Sequence, residues 1–195
     1  MTAGPVETEI KLRVPDPAAG LAVIERIGAA PSTERLFEAN MVYDTPAGEI
    51  RAKGQLLRVR EVGDRCVLTW KGPASSGTKH KSREETEVLI SDCAAFDRIL
   101  RQLGYQPLFR YEKYRTEFTL PHTPGVITLD ETPIGCFIEL EGAADWIDAT
   151  ASRMGFTEED YLTLSYGSLY AQHCTSTGVD PAWMVFPLAS RDKST

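Results

Sequence analysis

The sequence predicts an α+β chain: an eight-stranded, mostly antiparallel, closed β-barrel with amphipathic helices packed on its outside. Three observations carry this. Strand-like segments follow one another with short turn signals between them, which favours antiparallel neighbours. Nearly every such segment has one ionic and one apolar face. Four segments with helical spacing of apolar residues are available to cover the apolar faces, so the ionic faces must line something concave.

The first strand is expected over 6–14. Asp16-Pro17 then supplies an N-cap and a helix-compatible proline, Leu21, Ile24 and Ile27 follow at helical spacing, and Gly28 closes the segment. A second helix is signalled by Ser91 as cap, by Phe96, Ile99, Leu100 and Leu103 as its stripe, and by Gly104 as its stop. A third is expected over 143–154, and a fourth from Thr157, with Asp160 completing a variant capping box, towards His173. The remaining strands are expected near 36–43, 55–62, 65–71, 81–90, 110–120, 125–130 and 136–141. Turn signals at Thr45-Pro46-Ala47-Gly48, Gly63-Asp64, Gly72-Pro73 and Thr132-Pro133 separate them, and Ala74-Ser75-Ser76-Gly77 reads as a mobile loop. One domain is expected over 1–175 and a C-terminal tail over 176–195, polar after Pro187.

Side chains on a strand alternate between two faces. Glu7, Glu9 and Lys11 therefore share a face, as do Arg58 with Arg60, Thr69 with Lys71, and Lys113 with Arg115. Lys81, Arg83, Glu85 and Glu87 form another such set, and Glu139 pairs with Glu141. The opposite faces carry Ile10, Leu12, Leu57, Val59, Leu68, Trp70, Phe118, Ile138 and Leu140. For any single strand a polar face is usually just the solvated side. Here the positions are almost all Glu, Arg or Lys in i, i+2 pairs, and eight strands can enclose one small ligand. Adding Asp130, the acids and bases inside would nearly balance, which lowers the cost of enclosing them.

Arginine forks suit phosphate oxygens, and several around one groove suit a polyphosphate. Clustered carboxylates without His or Cys suit a hard cation, Mg²⁺ or Mn²⁺. No phosphate-binding Gly-rich loop, dinucleotide fingerprint, zinc-protease motif or nucleophile elbow is present, and His80, His122 and His173 lack ligand spacing. His80 reads as a solvated loop residue. The net charge of −7 argues against a nucleic-acid partner but leaves room for a local basic pocket. Residues 1–11 carry two glutamates and no apolar run, and no stretch approaches a transmembrane span, so the expectation is a cytoplasmic protein with no membrane partner. Cys66, Cys93, Cys136 and Cys174 are far apart and read as buried or free thiols rather than a disulfide framework.

The opening Glu7-Thr8-Glu9-Ile10-Lys11 resembles the E-x-E-x-K signature of the CYTH family, the triphosphate tunnel metalloenzymes. In the family's order follow Tyr43-Asp44-Thr45-Pro46, Leu57-Arg58-Val59-Arg60, Leu68-Thr69-Trp70-Lys71-Gly72-Pro73 and Arg83-Glu84-Glu85-Thr86-Glu87. Leu103-Gly104-Tyr105, Glu112-Lys113-Tyr114-Arg115, Leu129-Asp130, Ile138-Glu139-Leu140-Glu141 and Ser165-Tyr166 continue the match across about 6–170. The resemblance implies a tunnel barrel with a metal side of Glu7, Glu9, Asp130, Glu139 and Glu141. The triphosphate would be held by Lys11, Arg58, Arg60, Lys71, Arg83, Lys113 and Arg115. Lys71, Glu85 and Glu87 are the candidate catalytic groups, the two glutamates serving either a second metal or as ion-pair partners of the bases. Two departures stand out: Val42 precedes Tyr43, and Leu164 precedes Ser165, where many members carry an aromatic and a basic residue.

The family includes class IV adenylyl cyclases, thiamine triphosphatases and inorganic tripolyphosphatases. Hydrolysis needs only an aligned water and a good leaving group, whereas cyclisation needs a purine pocket and a ribose 3′-hydroxyl in line with the α-phosphorus. No purine pocket is visible in the sequence, so triphosphate hydrolysis is the expected activity and cyclisation of ATP the alternative. A binding protein without catalysis would need the bases but not the acids. The partner is a small triphosphate, and a homodimer is left open.

Overall fold

The computed structural model describes residues 5–75 and 79–187. Ser76 and Gly77 of the expected loop, the next residue, and the polar stretch after Pro187 lie outside the described residues. The described residues contain nine strands: β1 (Val6–Val14), β2 (Ala30–Pro31), β3 (Leu36–Asp44), β4 (Leu56–Val62), β5 (Arg65–Lys71), β6 (Lys81–Ile90), β7 (Gln106–Thr119), β8 (Val126–Thr132) and β9 (Gly135–Glu141). They run in the order β2-β7-β3-β4-β5-β6-β1-β9-β8, and β8 pairs back onto β7. Eight strands thus close a barrel in which neighbouring strands are antiparallel, with the two-residue β2 added outside on β7.

The helices are α1 (Pro17–Arg26), α2 (Glu49–Ala52), α3 (Cys93–Gln102), α4 (Ala144–Met154) and α5 (Tyr166–Thr177). Ile10, Leu12, Ile127, Ile138 and Leu140 are completely inaccessible on the outer faces of β1, β8 and β9, under Ile24 of α1 and Ile147 of α4. Each such side chain contributes about 2 kcal/mol by leaving water. The approach of α1 to β8 needs Gly20, where an added Cβ would stand 2.6 Å from Leu129 Cδ1. A second cluster, with Val59 and Leu100, joins α3 to β4 and β5, and a third, around Tyr111, Phe137, Tyr166 and Leu169, packs α5 across one end of the barrel. With the apolar faces covered from outside, the ionic faces are left to line the interior.

Several expectations are corrected in detail. The capping box at Thr157 and Asp160 forms, yet it closes only a 3₁₀ turn (Glu158–Asp160). Leu162 exchanges two backbone hydrogen bonds of 2.9 Å with Lys11, which holds the next residues extended. The helix therefore starts later, capped by Ser165, whose Oγ accepts from Ser168 N. Asp92 rather than Ser91 caps α3, accepting from Ala95 N. The single turn α2 is held by Asp44, whose carboxylate accepts from the backbone N–H groups of Thr45, Ile50 and Arg51. Cys66 and Cys93 are joined in a disulfide (Cα–Cα 5.7 Å), while Cys136 and Cys174 are buried free thiols. His80 is buried rather than solvated: its Nε2 lies 2.8 Å from Asp148 Oδ1, beside Tyr161 Oη, which donates to the same oxygen.

Residues beyond α5 continue the barrel wall. Met184 N donates to Arg110 O and Met184 O accepts from Glu112 N, along the part of β7 that β8 does not reach. Met184 is buried there, and Glu112, completely inaccessible, accepts from Phe186 N and Arg110.

Candidate active site in the barrel interior

The register brings the expected faces together. On β1 and β9, Glu9 stands opposite Glu141 and Lys11 opposite Glu139. Lys11 Nζ, with 3% of its residue surface exposed, lies 3.1 Å from Glu9 Oε1 and 3.2 Å from Glu139 Oε1. Lys81 reaches Glu9 from β6 at 2.6 Å. Burial opposes the charge on Glu9, but Lys11 and Lys81 hold its carboxyl far below the ordinary carboxylate range. Lys71 contacts Glu7 and lies 2.9 Å from Glu85. Burial and the neighbouring Glu7 push Glu85 up to about 8.

Across the barrel Arg115 forms a two-pronged contact with Asp130 at 2.6 Å on both oxygens and also contacts Glu139. Lys113 Nζ lies 2.9 Å from Asp130, and Tyr166 Oη donates to the same carboxylate at 2.6 Å. Asp130, expected on the metal side, is therefore enclosed by three donors and has no exposed surface. Arg58 donates to Tyr111 Oη, Thr69 and Glu87, while Arg60 lies 3.5 Å from Glu38. Arg83, expected among the phosphate ligands, spends its guanidinium on the carbonyls of Gly72, Gly54 and Lys71.

The interior also contains residues that the ionic pattern missed. Glu38 and Asn40 of β3 face inward, where Asn40 stands opposite Arg60 on one side and Tyr111 on the other. Their strand reads Glu-Ala-Asn-Met-Val, with no i, i+2 pair of charges, so only the pairing reveals them. Lys81, on the face that the alternation predicts, is the second base on Glu9. Tyr43 points outward, its hydroxyl donating to Asp97 on α3 at 2.7 Å.

Two features describe what the interior lacks. Arg58 Nε, Arg60 Nε and Asn40 Nδ2 are buried donors without a hydrogen-bond partner, and the neighbouring acceptors Asn40 Oδ1 and Glu38 Oε2 are unmet as well. They lie on the adjoining strands β3 and β4. Glu141 is the converse: no base lies in ion-pair range among the described residues. Burial and the like charges of Glu7, Glu139 and Glu9 push it up to about 7. Among the described residues, no three Asp, Glu, His or Cys side chains converge as they would around a bound ion, because lysines reach in between. The donors themselves fit a hard cation: four carboxylates on two adjacent strands, with no competing sulfur or imidazole.

A closed antiparallel barrel whose wall places bases and carboxylates inward, with its apolar surface under helices, defines a charged tunnel. The chain belongs to the CYTH domain family, whose model matches residues 6–152. It is 26% identical over 136 residues to a Methanocaldococcus jannaschii protein named "Putative adenylate cyclase", covering 70% of this chain and 76% of that one. Its fold is similar to that of a Vibrio parahaemolyticus protein described as a "putative adenylate cyclase", with a TM-score of 0.74 at 23% identity over 86% of this chain and 99% of that one. A Hippeastrum protein, titled a "putative adenylyl cyclase" with "a dominant" triphosphatase activity, superposes with a TM-score of 0.63 at 18% identity, covering 86% and 96%.

Proposed function

We propose that this protein is a divalent-cation-dependent triphosphatase. The observation that carries the reading is the group of unmet donors, Arg58 Nε, Arg60 Nε and Asn40 Nδ2, facing inward beside Lys113 and Arg115. Buried donors without partners are costly, and a polyanion would satisfy them together. Phosphoryl transfer asks a protein mainly for positioning and charge neutralisation. Arg58, Arg60, Lys113 and Arg115 would hold the phosphate chain, with Lys11 and Lys71 between it and the acids. Asp130 would orient Lys113 and Arg115 rather than bind metal.

Glu7, Glu9, Glu139 and Glu141 would hold Mg²⁺ or Mn²⁺, which supplies charge stabilisation on the phosphate oxygens. In hydrolysis, water adds to the terminal phosphorus, the bridging P–O bond breaks, and the water proton leaves to a carboxylate. Glu85 and Glu87, paired with Lys71 and Arg58, are the residues available for that proton. Relatives bearing the cyclase name support a second reading, in which a ribose hydroxyl replaces water and attacks the α-phosphorus.

One assay tests both. Phosphate, pyrophosphate and cyclic AMP are measured in parallel from ATP and tripolyphosphate, with Mg²⁺ and with Mn²⁺. Phosphate release that needs the cation is expected; cyclic AMP with equimolar pyrophosphate would transfer the assignment to the cyclase. Glu141→Gln should abolish turnover and cation binding by titration calorimetry while leaving the melting temperature nearly unchanged, since no base depends on Glu141. Absence of any product from either substrate would overturn the enzyme reading.

A further inference from the structure

The first residue of α5, Tyr166, is 6% exposed and projects among the charged side chains of the barrel. Its hydroxyl donates to Asp130 at 2.6 Å. Two ammonium groups stand over its ring: Lys11 Nζ at 5.2 Å from the centroid and Lys113 Nζ at 5.3 Å. Phe137 meets the ring edge-on at 5.6 Å, and the Tyr111 ring lies 6.1 Å away, so packing fixes its plane. Burial and the neighbouring charge of Asp130 hold the Tyr166 hydroxyl well above the ordinary phenol range, which keeps it a neutral donor.

The two lysines come from strands that do not pair with each other. Lys11 is on β1, between β6 and β9, and Lys113 is on β7, between β3 and β8. Carboxylates hold both: Glu9 and Glu139 hold Lys11, while Asp130 and, at 3.5 Å, Glu38 hold Lys113. Those carboxylates compete with a phosphate for the same N–H groups. The ring does not compete, because its face attracts the whole ammonium charge rather than one N–H. Each lysine can therefore turn from a carboxylate to a phosphate oxygen without leaving the ring. A lysine side chain also carries about 2 kcal/mol of rotamer entropy, and a fixed ring removes part of it before the anion arrives.

Resting on the triphosphatase reading, we infer that Tyr166 is a positioning residue, whose ring holds Lys11 and Lys113 in place while they exchange carboxylate for phosphate oxygens. It acts through the two ammonium groups rather than on the reacting atoms. Its effect therefore belongs to substrate binding more than to the chemical step.

The test holds the shape of the side chain and changes the charge on the ring face. Tyr166→Phe removes the hydroxyl. Phenylalanine with one, two and three ring fluorines at the same position then withdraws electron density stepwise, with little change of volume. KM for tripolyphosphate in Mg²⁺ should climb along the series, by about tenfold from no fluorine to three, the scale of a desolvated cation–ring contact. The turnover number should stay within about threefold, since a hold made equally in ground state and transition state shows in KM. Tyr166→Leu, which has no ring, should raise KM at least as far as the third fluorine. The fluorinated proteins, which pack alike, decide the matter if Tyr166→Leu melts early. A KM that stays flat across the series in an enzyme that cleaves tripolyphosphate would overturn the positioning role, even with Tyr166→Leu impaired, and leave the triphosphatase standing. A wild type that neither cleaves nor is stabilised by tripolyphosphate or ATP would overturn the triphosphatase reading and this inference with it.

Discussion

Glu38 is the interior acid whose role is purely supportive, and it makes a clean prediction. It is 4% exposed and 3.5 Å from both Lys113 and Arg60. Burial would raise its carboxyl, but Lys113 and Arg60 outweigh this and hold it down at about 2. A carboxyl depressed from its ordinary value near 4.5 contributes on the order of 3 kcal/mol above that pH, lost as pH falls from 4.5 towards 2. Glu38→Gln should therefore be a few kcal/mol less stable in denaturant unfolding at pH 7 and pH 5, with the gap closing below about 4.5. A gap that stays constant down to pH 3 would mean that the charge on Glu38 is irrelevant to folding. At this scale the sequence was legible wherever acids and bases alternated, as in Glu7-Thr8-Glu9-Ile10-Lys11. It was silent at Glu38, Asn40 and Tyr111, because their strands mix charged, amide and aromatic residues on one face. It also misled at Arg83, since the correct face does not fix where a long side chain ends, and backbone carbonyls claimed it.

Among the elements, the strands were legible because period-2 alternation is strong and the turns are short. The helices were legible as stripes and less so as boundaries. Thr157 carries a genuine cap, and only the long-range pairing of Leu162 with Lys11 keeps it from starting a helix. The link between α3 and the barrel was not legible at all. Cys66 and Cys93 are 27 residues apart, and β6 has to fold back beside β5 before they meet. Closing a loop of that length stabilises by about 3–4 kcal/mol on the chain-entropy account. Reductant should accordingly lower the unfolding midpoint of the wild type and leave Cys93→Ser, already without the link, unmoved. Finding four reactive thiols in protein unfolded without reductant would show that the pair is open, and the prediction would fail.

For the whole molecule, the barrel is a balance of charges that a ligand can improve. The expected balance of acids and bases holds, with Glu38 and Lys81 adding one of each. The distribution is uneven, however. Glu7, Glu9, Glu139 and Glu141 gather on β1 and β9, Arg58 and Arg60 lie on β4, and Lys11, Lys71 and Lys81 reach between the acids. A triphosphate would draw these lysines towards itself, and a cation would then take the carboxylates they leave. Each ligand removes the competitor of the other, so each should bind better in the other's presence, by the same factor, because linkage is reciprocal. A ligand that binds only the folded state raises stability by about 2.7 kcal/mol at a hundred times its dissociation constant. Tripolyphosphate with Mg²⁺ should therefore raise the melting temperature by more than the sum of their separate effects. Pyrophosphate, too short to reach all the bases, should do less, and orthophosphate almost nothing. Strictly additive shifts, or equal shifts for all three anions, would mean that cation and anion do not share the tunnel.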